Sequence, residues 1–295
     1  MSIVVNVRGF PNLGNTCYMN STLQAFLSSN IMNTALMMYV QMNHDKMGDF
    51  SPMLKEYCRV ILDLLKKETR MHIYNLSQFK NTLDCVNDWF RGHQQHDSNE
   101  LLQYLINEFK DDSKDKGVSR LIEKLCFGKI KQYLYCDTCR TVSEQYFSFL
   151  DVLLPIPDTP NPDIVDCFKK LAQYEKLDHS NMWDCPTCKT KVVAHKKVEI
   201  HDVPKVAIFT LSRFRGNNKI NTPVKIYPLI KLEGVKLKLI STVNHYGGIW
   251  GGHYAANVCR GDNWYRANDS SISSINIETI LNDPSVYMMF YQVVC

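Results

Sequence analysis

Cys136-Asp-Thr-Cys139 and Cys185-Pro-Thr-Cys188 restrict the folds open to this 295-residue chain more than any other feature. Each is a Cys-x-x-Cys knuckle, and Cys139 and Cys185 lie 46 positions apart. Four thiolates from two knuckles suit tetrahedral zinc, with every position filled and none open for catalysis. The gap exceeds that of a compact zinc ribbon, so the knuckles would close a long β excursion and pin its tip. Four free thiols or a redox Cys-x-x-Cys are the rival readings; the second lacks a thioredoxin-like βαβ setting. The chain has 11 cysteines, an odd number, and its start, Met-Ser-Ile-Val-Val-Asn-Val-Arg, shows no signal-peptide pattern. Both facts favour a reducing compartment, cytoplasmic or nuclear, over a disulfide framework.

At 45% hydrophobic and 22% charged residues the chain has material for a large packed core, unlike a disordered protein. The net charge of +4 is scattered, with no Lys/Arg block, so nucleic acid is not an expected partner. The apolar stretches 31–40 and 286–294 are too short and interrupted to span a bilayer, so no membrane is expected either.

The first 125 or so residues read as helical. Leu23, Phe26 and Leu27 recur at helical spacing, as do Met53, Tyr57, Val60, Ile61, Leu64 and Leu65. A third stripe carries Leu101, Leu102, Leu105, Ile106 and Phe109, opened by Asp97 as a cap with Glu100 positioned to reach back. The charged stretch 110–116 reads as an exposed connection. From about Leu125 the pattern turns to strands: 147–154, 206–214, 225–230, 235–243, 253–258 and 286–294. The proline-rich 155–162 is punctuation, and 163–174 suits a short helix. Helices leading into an antiparallel back half make an α+β fold.

Phe10-Pro-Asn-Leu-Gly-Asn-Thr-Cys17-Tyr-Met-Asn-Ser places Cys17 where a glycine turn enters a helix. The helix N-terminus would there lower the thiol pKa, and backbone N–H groups or Asn12 could face an oxyanion. Taken alone, such a cysteine is more often an inert, buried hydrophobe. A nucleophile also needs a base. His245-Tyr-Gly-Gly-Ile-Trp-Gly-Gly-His253-Tyr supplies one candidate behind a glycine-rich loop, at the start of a strand. A return strand over 262–269 would set Asn268 or Asp269 beside the imidazole, fixing its tautomer while the other ring nitrogen faces the thiol. A satisfied, half-buried histidine is the plain alternative; the coincidence of loop, hairpin and Asn-Asp pair favours catalysis.

Together these segments resemble the ubiquitin-specific proteases over nearly the whole chain. Gly-Asn-Thr-Cys17-Tyr-Met-Asn-Ser-Thr-Leu-Gln is similar to the family's cysteine box, and Gly-Gly-His253-Tyr254 with 264–270 to its histidine box. Gln95-His-Asp97-Ser-Asn-Glu100, Phe209-Thr-Leu-Ser-Arg-Phe214 and the knuckles follow the family's order. The resemblance implies a single papain-like α+β domain: a helical thumb (1–125), zinc-knuckle fingers (126–205) and a β-rich palm (206–295). It implies Cys17 as nucleophile, His253 as base, Asn268 as third member aided by Asp269, and Asn12 in the oxyanion hole. Asp97 and Glu100 would meet the arginines of a ubiquitin tail ending Arg-Leu-Arg-Gly-Gly, with His245 and Tyr254 along its channel. Zinc on Cys136, Cys139, Cys185 and Cys188 would be structural. The expected function is that of a monomeric deubiquitinating thiol hydrolase acting on ubiquitin, polyubiquitin or ubiquitinated proteins. A protease for a ubiquitin-like modifier with the same tail and a non-catalytic ubiquitin-binding module are the alternatives.

Overall fold

The computed structural model describes residues 2–66, 73–249 and 251–294. Six helices come first: α1 (Cys17–Phe26), α2 (Asn30–Met42), α3 (Pro52–Leu65), α4 (Ser77–Val86), α5 (Ser98–Asp111) and α6 (Lys116–Cys126). There follow β1 (Gly128–Cys136), β2 (Val142–Phe149), β3 (Asp151–Leu154), α7 (Ile164–Leu171), β4 (Glu175–Leu177), β5 (Trp183–Cys185), β6 (Thr190–Val192) and β7 (Ala194–Asp202). The chain ends in β8 (Val206–Leu211), β9 (Phe214–Arg215), β10 (Asn218–Lys219), β11 (Leu229–Leu232), β12 (Val235–Gly247), β13 (Gly252–Arg260), β14 (Asn263–Asn268), β15 (Ser271–Ser274), α8 (Ile277–Leu281) and β16 (Val286–Val293). Among the described residues no helix is long and apolar enough to cross a membrane.

Local chemistry accounts for the helix starts. Ser51 caps α3 by accepting from the Leu54 N–H, with Pro52 in the first turn, where its missing N–H costs nothing. Asp97 caps α5, its Oδ1 accepting from the N–H groups of Asn99 (2.7 Å) and Glu100 (3.2 Å). The return bond expected from Glu100 is not made; its side chain points to solvent. The stretch 31–40, which shows no helical stripe, is α2, capped by Ser29.

The large sheet runs β15-β14-β13-β12-β16-β8-β3, with β11 beside β12; only β3 pairs parallel, against β8. Its two faces carry separate cores. Ile208, Val243, Met288 and Phe290 pack against the helices with Phe26, Leu101 and Phe109. Phe209, Leu211, Leu239, Met289 and Tyr291 face the other way, toward residues of α7 and α8. Strands β8 and β16 are therefore buried on both sides, which is why they read as unbroken apolar runs.

A second sheet, β2-β1-β7-β4, meets the second core at one end through Phe149 and Ile200, and β5-β6 form a separate small hairpin. Its strands β1 and β7 escape the sequence reading, because Lys, Gln and Tyr alternate there without a clear apolar face. The run 147–154 is broken at Leu150: its first part ends β2, and β3 belongs to the large sheet. The segment 126–205 thus contributes to both sheets. Likewise 225–230 forms a strand only from Leu229.

Candidate active site

Cys17 is the first residue of α1, reached through a turn in which Gly14 adopts φ +98° and Asn15 φ 55°. A Cβ on Gly14 would stand 2.5 Å from His93 Nδ1, so the turn requires glycine on both conformational and steric grounds. Thr16 gives the helix no side-chain cap; its Oγ1 instead accepts from Leu13 N–H.

The thiol is 5% exposed. Burial pushes it above the usual cysteine range, as does the charge of Asp269; N–H bonds from Tyr254, Tyr18 and Cys17 pull in the other direction. The lowered thiol expected from the helix N-terminus is therefore not what the fold produces. Loss of water costs the thiolate more than the helix N–H groups return.

His253 lies near the start of β13, its neighbour Tyr254 supplying the N–H that reaches Cys17. Antiparallel pairing of β13 with β14, turned at Gly261 (φ +63°), returns the chain as the sequence predicts. His253 Nε2 lies 2.5 Å from Asn268 Oδ1. Because that oxygen only accepts, Nε2 carries the proton and Nδ1 keeps its lone pair.

Asp269 (φ 49°) is turned elsewhere. Its Oδ2 accepts from Asn12 Nδ2 at 3.0 Å and its Oδ1 from Asn20 Nδ2 at 2.8 Å. Both of its oxygens thus face the cysteine loop and α1, rather than the imidazole. Asn12 in turn accepts from Gly14 N–H (3.1 Å) and Thr16 N–H (3.0 Å) through Oδ1. One Nδ2 hydrogen remains for an incoming oxygen. Asn20 carries no sequence signal of this role, since its partner is 249 positions away.

A cleft beside the thiol is lined by Cys17, Trp89, Gln95, Glu100, Gly251 and Gly252, among others. Gln95 Oε1 accepts from Gly252 N–H at 3.3 Å, joining the helical side to the glycine loop. Trp250, within that loop, lies outside the described residues. Gly252 has no room for a side chain: its Cβ would stand 2.2 Å from His245 Nε2.

His245 is buried between Tyr254 (ring centroids 4.7 Å) and Phe214 (5.4 Å). Burial, with the charges of Lys219 and His253, takes it down to about 4, so it is neutral near pH 7. Asp97 accepts from Tyr254 OH (3.0 Å) and Tyr287 OH (3.1 Å) besides the two helix N–H groups. Three donors converge on Oδ1 and one on Oδ2, which makes Asp97 a bridge from α5 to the sheet. Glu100, exposed at the same cleft, is the acid left open.

At the far end of the second sheet, Cys136, Cys139, Cys185 and Cys188 present Sγ atoms all within 4.8 Å of one another. Cys136–Cys188 is 3.8 Å and Cys139–Cys185 3.7 Å. A tetrahedron of sulfurs about 2.3 Å from a central ion has edges of about 3.8 Å. The Thr141 hydroxyl, 3.0 Å from Cys139, draws that thiol down to about 6, while its bond to Cys139 pushes Cys188 up to about 12. Four thiols this close cannot all ionise without a cation between them. The group could hold a metal ion, and among the described residues no cysteine is in a disulfide.

The chain as a whole is similar to known proteins. The family model for "Ubiquitin carboxyl-terminal hydrolase" matches residues 8–291. Ubiquitin carboxyl-terminal hydrolase 4 of Vanderwaltozyma polyspora is 26% identical over 96% of this chain and 40% of its own length. Human ubiquitin carboxyl-terminal hydrolase 3 is 26% identical over 96% of this chain and 67% of its own. The chain thus spans less than half the length of the first of these relatives. Among solved structures, the SAGA DUB module Ubp8/Sgf11/Sus1/Sgf73 bound to ubiquitin aldehyde contains a similar fold. Its TM-score is 0.84 at 22% identity, with all of this chain and 71% of that one covered. From residue 8 to residue 291, the chain belongs to the ubiquitin carboxyl-terminal hydrolase family.

Proposed function

We propose that this protein is a cysteine deubiquitinase that cleaves the isopeptide or peptide bond after the C-terminal Gly-Gly of ubiquitin. The observation that carries the reading is the Asn268–His253 bond one residue before Tyr254, whose N–H reaches the Cys17 thiol at a glycine-walled cleft. The family match supports it, as do similar folds seen with bound ubiquitin.

Cys17 Sγ attacks the terminal glycine carbonyl. A new S–C bond forms, and the thiol proton passes to His253 Nδ1, because a raised thiol arrives protonated. Asn12, with backbone amides near the turn, receives the oxyanion through its unused N–H. As the C–N bond breaks, His253 returns the proton to the leaving amine. It then takes one from water, whose oxygen displaces sulfur and frees the carboxylate. Asn268 holds the ring throughout; being neutral, it orients imidazolium without the charge support an aspartate would give. Asp269 fixes Asn12, and Glu100 offers the free carboxylate for an arginine of the tail, behind which Asp97 keeps α5 on the sheet.

The chain divides in this reading into thumb (1–125), fingers (126–205, less β3) and palm (206–295). Cys136, Cys139, Cys185 and Cys188 would hold zinc: a closed Cys₄ set would supply rigidity at the finger tip and no catalytic position.

A ubiquitin carrying a C-terminal electrophile should label the wild-type protein and leave Cys17→Ala unlabelled. Equal labelling of both, or none of the wild type, would overturn the assignment.

A further inference from the structure

Strand β12 outlasts its neighbour. Its pairing with β16 ends at Asn244–Val286, and the His245 N–H makes one more bond, to Ser285 O at 2.8 Å. On the other edge β12 continues to pair with β13 through Tyr246–His253 and Gly247–Gly252. The carbonyls of His245 and Gly247 therefore emerge on an edge with no strand to receive them, directly across from the catalytic histidine's own segment. Buried backbone acceptors without partners are costly, and an unpaired edge is free to twist.

Lys219 occupies that edge. It sits on β10, in a two-strand turn with β9 where it pairs with Phe214, and Gly216 turns the chain at φ +53°. Its Nζ donates to His245 O at 2.8 Å and to Gly247 O at 2.9 Å. Among the described residues no carboxylate lies within ion-pair distance of it. Burial, with the charge of Arg213, holds this half-buried ammonium below the ordinary lysine range, and its hydrogen bonds go to two backbone carbonyls. The same turn sends Phe214 onto the His245 ring, so hairpin and loop base are joined at two points.

We infer that Lys219 is a positioning residue for the cleft: its ammonium replaces a missing strand and fixes the base of the 247–252 loop opposite His253. This rests on the deubiquitinase reading, since the loop forms the wall along which a Gly-Gly tail would lie. The ammonium touches neither the thiol nor the imidazole. Its loss therefore weakens capture of the tail more than the chemistry that follows.

Lys219→Met, Lys219→Arg and wild type should be compared with a ubiquitin–fluorophore substrate, alongside melting temperature and deuterium uptake over 244–253. Expected for Lys219→Met is a KM raised about tenfold, the worth of a charged hydrogen bond, with kcat within about twofold. Faster exchange of the Gly248 and Gly252 amides should accompany it, at a melting temperature close to wild type. An arginine fork can span both carbonyls, so Lys219→Arg should restore KM and protection together. Unchanged KM and exchange in Lys219→Met would overturn the inference. So would a defect that follows lost thermal stability and is not repaired by arginine. The exchange readout needs no substrate. An inactive wild type with normal Lys219-dependent protection would sink the deubiquitinase reading instead, leaving the brace itself intact.

Discussion

At the scale of residues, two neighbours divide one task. Asn268 and Asp269 are adjacent, yet the left-handed backbone at Asp269 sends their side chains to different partners. Asn268 holds His253, the proposed base, whereas Asp269 holds Asn12 and Asn20. Their substitutions should therefore fail differently. Asn268→Ala frees the ring and its tautomer, so kcat should fall by a part of the ~10²–10⁴ that acid–base catalysis contributes. A second imidazole at high concentration should rescue it weakly. Asp269→Ala leaves the base in place but unpins an oxyanion donor, worth about 10²–10³ in kcat, with no rescue by imidazole. Steady-state kinetics on ubiquitin–fluorophore with and without imidazole separates the two; equal rescue of both would refute the division. The buried His245 offers a contrast: burial takes it down to about 4, and its Nδ1 has no partner to orient the ring as Asn268 orients His253.

Among elements, the joint between α3 and α5 has a built-in pH dependence. Glu108 of α5 is 4% exposed and crosses to the start of α3. There its carboxyl accepts from Ser51 Oγ (2.7 Å) and Met53 N–H (3.1 Å). Burial raises it to about 7, against which the Ser51 and Met53 bonds only partly work. A carboxyl raised on folding stabilises the fold fully below its unfolded pKa, near 4.5. That contribution is lost as pH rises through about 7. Two and a half units correspond to on the order of 3 kcal/mol. Glu108→Gln cannot ionise, so relative to wild type it should gain about that much between pH 4.5 and pH 8. Urea melts across that range test it, and a constant difference between the two proteins would exclude it. Helix α5 itself is legible in sequence because its apolar stripe faces one core and Asp97 opens it. Helix α2 is not: with 13 residues and no charged side chain, it shows no polar face against which a stripe could stand out.

For the whole molecule, the proposed chemistry and the proposed grip lie in different parts of the fold. The thiol and imidazole rest on the large sheet and α1, bound by dense packing: Ser241 Oγ donates to Ala25 O at 2.8 Å and buried Arg260 donates to Gln24 O at 2.9 Å. The finger tip has little core of its own, Cys136, Cys185 and Val192 with half-buried Cys139, Trp183 and Cys188, so an ion on the four thiols would supply much of its order. Chelation should therefore speed deuterium exchange over 183–192 and raise KM for ubiquitin–fluorophore. Cleavage of a fluorogenic Arg-Leu-Arg-Gly-Gly peptide, which touches only the cleft, should change less than about twofold. Parallel loss of both activities would show that the two parts are not separable.

By itself the sequence determined the points where the chemistry is written into short stretches. The turn into α1, the hairpin that returns Asn268 to His253, and the thiol set at the knuckles all follow from residues within one motif or from a strict repeat of spacing. Local backbone preference and ligand number decide these, and neither needs the rest of the chain. What only the tertiary structure decided are the quantities that depend on water and on distant partners. Cys17 is raised rather than lowered because the helices and β13 exclude water from it. Asp97 is spent on two tyrosines that lie 157 and 190 positions away. Asp269 serves the cysteine loop rather than the imidazole, and Lys219 braces an edge that exists only because β16 stops short of β12. Desolvation and non-local hydrogen bonds have no period and no motif, so they become visible only once the chain is folded.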